Sequence, residues 1–153
     1  MTTSSATTDT LATVASEAAA ESTLWAEALR DEPDGAHVFG PLVPPQLALG
    51  VETIYEGYLV HYGRSRLFAP PDGDVALLLG DYLYAHGLVR VAATGDLEAV
   101  AALAELISAC AALRADGEGG DAEAWLACVR RVGGEPTNVD VERALAAHAR
   151  LVG

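Results

Sequence analysis

The chain has no lysine, so its chemistry would have to come from carboxylates, histidines, tyrosines and two cysteines; all nine basic residues are arginine. Without a lysine amine there is no Schiff base to pyridoxal phosphate or a carbonyl substrate, and no lysine for a Walker-type phosphate loop. The sequence contains no GxSxG, HExxH, CxxC or GxGxxG pattern. It has no Glu-x-x-His pair either, so a di-iron helical bundle would lack its ligands. His37, His61, His86 and His148 are spread over separate segments and read as core or surface histidines. Cys110 and Cys128 each fall in a helical apolar pattern and read as buried thiols.

The carboxylates cluster mostly at helix ends. Asp31, Glu32 and Asp34 belong to a linker, and Asp72 and Asp74 precede a helix that they are placed to cap. Glu52 and Glu56 share a helix face at i, i+4. They read as two like charges on an exposed face, with a divalent-cation site as the sharper alternative. Asp81 is different. It interrupts the apolar run LLLGDYLYA, where a buried charge needs a hydrogen-bonding partner or a place at the end of the core.

The elements that would position these residues are helical. From Asp9, the residues Leu11, Val14, Ala18, Trp25 and Leu29 keep near one face, until DEPDG (31–35) ends the pattern with turn chemistry. Pro44 and Pro45 open a second helix, whose stripe runs through Leu47, Val51, Ile54, Tyr55, Tyr58, Leu59 and Tyr62 to Gly63. Gly50 and Gly57 lie seven apart inside it. Each costs about 1 kcal/mol against alanine, which points to another helix backbone packed close by. A third helix starts with Asp74 as N-cap and stops at Gly95; a fourth runs from Asp96 to about Ala115. DGEGGD (116–121) is a turn. A short helix follows with Trp125, Cys128, Val129 and Val132 inward, and a last one, capped by Thr137 or Asn138, reaches about Leu151. No run alternates long enough for a strand. The expected fold is all-α with five or six packed helices: a single domain over 9–153 behind a disordered N-terminal tail, 1–8.

Composition sets the outer limits. The 153 residues suit one domain, and 30 alanines favour a core of closely approaching helices. A formal charge of −13 argues against nucleic acid as a partner, because that affinity rests on neutralising phosphates. The N-terminus MTTSSATTDT lacks the basic and apolar regions of a signal peptide. No window holds 18 consecutive apolar residues, so no transmembrane segment is expected, and the expected location is cytoplasmic.

One stretch has a recognisable pattern. VALLLGDYLYAHGLVRVAATGDLEAVAALAELI, from Val75 onward, resembles the helix–turn–helix of polyprenyl diphosphate synthases, where A-V-L-x-G-D-Y-L precedes an apolar helix. Upstream, ETIYEGYLVHYG (52–63) resembles the helix that in this family ends in leucine-x-His-Asp-Asp. In that register Leu59 and His61 match, while Tyr62 and Gly63 stand where the first two metal-binding aspartates would be. Arg64-Ser65-Arg66 is the remnant of the expected arginine pair, and no second aspartate-rich motif follows.

The resemblance covers residues 52–112, and its departures imply the role. Prenyl transfer needs magnesium to stabilise departing pyrophosphate, and tyrosine and glycine cannot replace aspartate as ligands. The chain is therefore similar to the non-catalytic small component of two-component long-chain prenyl diphosphate synthases. That implies no catalytic residues and no metal of its own, with magnesium only where a catalytic partner supplies the motifs. The implied partner is a catalytic prenyl diphosphate synthase chain, or a second copy. On this reading Tyr55, Tyr58, Leu59, His61, Tyr62, Tyr82 and Tyr84 become candidates for an apolar-ligand groove or partner contact. The alternatives are a stand-alone module for an isoprenoid or other apolar ligand, and a helical scaffold.

Overall fold

The computed structural model describes residues 2–153, with side chains from Thr10 onward. The tail expected over 1–8 lies outside the residues whose side chains are described. Among the described residues seven α-helices follow one another: α1 Thr2–Glu21, α2 Thr23–Glu27, α3 Ala48–Tyr62, α4 Gly73–Ala93, α5 Leu97–Ala115, α6 Asp121–Arg131 and α7 Asn138–Val152. Single 3-10 turns at Gly40–Leu42 and Pro45–Leu47 lead into α3. Among the described residues there is no strand, only one isolated bridge between Leu29 and Phe68.

The chain is all-α as expected, but the count exceeds five or six. The first predicted helix is broken at Ser22, whose extended backbone and side chain cap a separate short α2 at Leu24. One other boundary shifts, while the expected Thr137 cap of α7 is kept. Asp72, not Asp74, caps α4, accepting from the Val75 N–H at 2.9 Å. Thr137 caps α7 in a reciprocal capping box with Asp140.

Helix α3 is the axis of the molecule. Every residue from Gly50 to Leu59 is buried, as a helix with neighbours on all sides must be. On one flank lies a core of Phe39, Tyr55, Tyr58, Leu103, Leu106, Trp125, Val129 and Leu151. On the other lies a smaller core of Leu11, Val14, Trp25, Phe68, Leu79 and Leu83. Helix α4 returns antiparallel along α3, and its glycines decide how close it comes. A Cβ on Gly57 would stand 3.0 Å from the Gly80 carbonyl oxygen. The approach expected from Gly50 and Gly57 is therefore present, matched by Gly80 and Gly87 across the interface.

The packing leaves one side of α4 bare. Leu77 and Leu78 are each 56% exposed and Val89 is 64% exposed. With Asp81, Ala85 and Ala92, also exposed, they fall on one face of the helix opposite Leu79, Leu83 and Val91. Among the described residues, α4 is the helix long and apolar enough to cross a membrane by length and composition.

Candidate functional site

The seven candidate residues of α3 and α4 do not form one groove. Tyr55, Tyr58 and Leu59 are closed inside the larger core. His61, Tyr62 and Tyr84 meet at the crossing of the C-terminal end of α3 with α4, the His61 ring 5.1 Å from that of Tyr84. Tyr82 is on the far side of α4, 5.7 Å from Trp25 and stacked on His86 at 5.3 Å. Helix geometry separates Tyr82 from Tyr84 by two residues, which places them on nearly opposite flanks. The expectation of a tyrosine-lined groove is corrected on this point.

What the buried tyrosines do instead is anchor a polar network. The Tyr58 hydroxyl donates to Asp121 Oδ2 at 2.5 Å, and Arg114 donates through Nε to the same oxygen at 2.8 Å. Arg114 Nη2 also donates to the Tyr58 hydroxyl at 3.0 Å. The Tyr55 hydroxyl lies 2.7 Å from His148 Nδ1. Burial raises both phenol pKa values well above the ordinary 10, with the Asp121 carboxylate adding to the effect at Tyr58. Tyr55 thus stays protonated and donates to Nδ1, which puts the imidazole proton on Nε2. Around these groups Phe39 stacks on Trp125 at 5.1 Å, and Tyr55 meets Trp125 edge-on at 5.1 Å.

Sequence reasoning misses Arg114, Asp121, Trp125 and His148 as one group, because they come from three successive helices whose packing angles no local spacing encodes. The one available signal was an acidic residue opening α6 directly after a glycine-rich turn.

A second polar group corrects another expectation. Glu52 and Glu56 are fully buried rather than exposed, and the cation between them is Arg66. Arg66 Nη1 donates to Glu52 Oε1 at 2.6 Å and Nε donates to Glu56 Oε1 at 2.9 Å. The remaining carboxylate oxygens accept from the Val38 and Gly40 N–H groups, at 3.1 and 2.9 Å, and from Leu67 N–H at 3.0 Å. Ser65 also donates to Glu56. Every strong acceptor is taken, so the triad ties the 64–68 segment and the 36–40 segment to α3 and has no place for a metal ion.

Asp81 is likewise corrected: it is 65% exposed, not buried, and lies 3.2 Å from His61 Nε2. Leu77, Leu78 and Ala85 are exposed on the same side of α4, whereas Leu79, Gly80 and Leu83 of the same run are buried, so Asp81 falls on the outer side of a helix buried on one side only. The family's magnesium has no fit at the matching end of α3. The Arg114 guanidinium stands 5.0 Å over the Tyr62 ring, and a Cβ on Gly63 would stand 2.9 Å from the Leu151 carbonyl oxygen. A cation and the end of α7 occupy the space that two aspartates and a metal would need. Among the described residues no three His, Cys, Asp or Glu side chains converge as a metal site.

No family model matches the chain, and no curated protein or solved structure is significantly similar to it.

Proposed function

We propose that this chain is a non-catalytic helical subunit that acts by docking on a partner chain through the outward face of α4. The observation that carries this reading is the exposed stripe of Leu77, Leu78, Ala85, Val89 and Ala92 on a helix whose other side is locked to α3. Exposed apolar side chains in a row on one element mark an interaction surface more often than a free one. The charge of −13 disfavours an anionic membrane surface as the occupant. Asp81 in the middle of the stripe calls instead for a protein groove with a hydrogen-bond donor at its centre.

The resemblance of 52–112 to polyprenyl diphosphate synthases makes a catalytic chain of that family the partner to test first. Tyr62 and Gly63 in the aspartate positions support an accessory part in such a pair, with magnesium held by the catalytic chain. The buried positions of Tyr55, Tyr58 and Leu59 weigh against the alternative of an apolar-ligand groove along α3. The test is product analysis of a catalytic prenyl synthase chain from the same cells, assayed with and without this protein. A changed product length or restored activity is expected; identical products at every ratio of the two chains would remove the reading.

A further inference from the structure

Between the α5–α6 turn and the last turns of α7 lies a cleft of about 540 Å³, within the size range of small-molecule sites. Arg114, Glu118, Asp121, Glu123, His148 and Val152 line it. Asp121 is the unusual member. Its side chain is 8% exposed, and while Oδ2 accepts from Tyr58 and Arg114, the buried Oδ1 has no hydrogen-bond donor. One turn along α6, the buried indole Nε1–H of Trp125 has no acceptor. A carboxylate oxygen shut from water with no donor is an arrangement native proteins rarely keep without a partner for it.

The wall beside Asp121 is a glycine turn: Gly117, Gly119 and Gly120 line the cleft, and a Cβ on Gly117 or Gly119 would stand in open space. Charge then selects the ligand. Arg114 is already engaged by Asp121 and by the Tyr62 ring, whereas Glu118 and Glu123 form no ion pair among the described residues. An anion would meet three carboxylates against one committed arginine. A cation with N–H groups would meet the missing donor's place, and Val152 and Ala122 offer apolar surface to its stem.

We infer that this cleft binds a small organic cation, a protonated primary amine on a short aliphatic stem, whose N–H groups donate to Asp121 Oδ1. The inference is independent of docking through α4. It is tested on the intact chain by following the Trp125 indole and His148 ring signals by NMR during titration with n-butylammonium. Saturable shifts at both rings are expected, with tetramethylammonium, which has no N–H, binding about tenfold more weakly. Asp121→Asn should abolish the shifts. If that variant does not fold, Glu118→Gln with Glu123→Gln, both exposed, should weaken binding several-fold, and more at low salt. Shifts that never saturate, equal binding of tetramethylammonium, or preferential binding of acetate would overturn the inference and leave an ordered water as the only occupant of Oδ1.

Discussion

Gly50 and Gly87 face each other across the α3–α4 interface so closely that a Cβ on either would press on the other's backbone. The distance would be 3.2 Å from Gly50 to the Gly87 carbonyl oxygen and 3.0 Å in the reverse direction. One heptad along, a Cβ on Gly57 would likewise stand 3.0 Å from the Gly80 carbonyl oxygen, while one on Gly80 would press on the His61 ring. This contact fixes the rotation of α4, and so determines which of its residues are left facing outward.

Gly87→Ala is therefore expected to destabilise the fold by about 1–3 kcal/mol, as overpacked sites do. Its Cβ would meet Ile54 Cγ1 at 2.5 Å and Ile54 N at 3.1 Å, and backbone cannot step aside as a side chain can. Gly73→Ala, at the open start of α4, should be neutral or slightly stabilising. Thermal unfolding of the two variants checks this, at about 2–4 °C per kcal/mol for a chain of this size. Equal melting temperatures would show that the helices stand further apart than described.

Arg66→Ala should cost about 3–5 kcal/mol, because it strands two fully buried carboxylates. Glu52→Gln with Glu56→Gln in the same background should recover part of that loss by removing the uncompensated charge. Urea denaturation midpoints of the wild type, Arg66→Ala and the triple variant measure both steps.

The triad shows what the sequence could and could not tell. Glu52 and Glu56 at i, i+4 are the ordinary mark of an exposed helix face, and their counter-charge comes from a loop ten and fourteen residues onward, where spacing carries no signal. Asp81 misled in the opposite direction: an apolar run implies burial only if the helix has neighbours on both sides, and α4 has them on one. The helical class, the close approach at Gly50 and Gly57, and the inward set Trp125, Cys128, Val129 and Val132 were legible, because each rests on local periodicity or backbone cost.

Stability should fall as the pH is lowered below 6.5. Burial, partly offset by the Asp121 and Glu123 charges, holds the His148 imidazole below its ordinary value of 6.5, with Arg114 adding to the lowering. The unfolded chain then takes up a proton that the folded chain refuses, so acidification favours unfolding by up to about 1.4 kcal/mol per pH unit. The window opens at 6.5, well above the ordinary carboxylate value of 3.8 near which Asp34, held low by its bond to Arg150, begins to contribute. His148→Gln should flatten the profile between pH 6.5 and 5; an unchanged slope would show that His148 is not its source.

Both thiols should be inert in the folded protein. Burial pushes Cys110 up to about 12 and Cys128 up to about 11, leaving little thiolate at neutral pH. Labelling by a disulfide reagent is expected only through opening of the fold, at a rate that rises with denaturant as unfolding does. Rapid stoichiometric labelling of the native chain would contradict the packing of α5 on α6.

The most direct test of the account is the mass of the complex formed with a catalytic prenyl synthase chain, for this protein and for its Leu78→Arg/Val89→Arg variant. Both positions are exposed, so the variant should keep the wild-type melting temperature. Light scattering should show a stable heteromer with the wild type and two separate species with the variant. No heteromer with the wild type, or one that forms equally well with the variant, would contradict docking through α4.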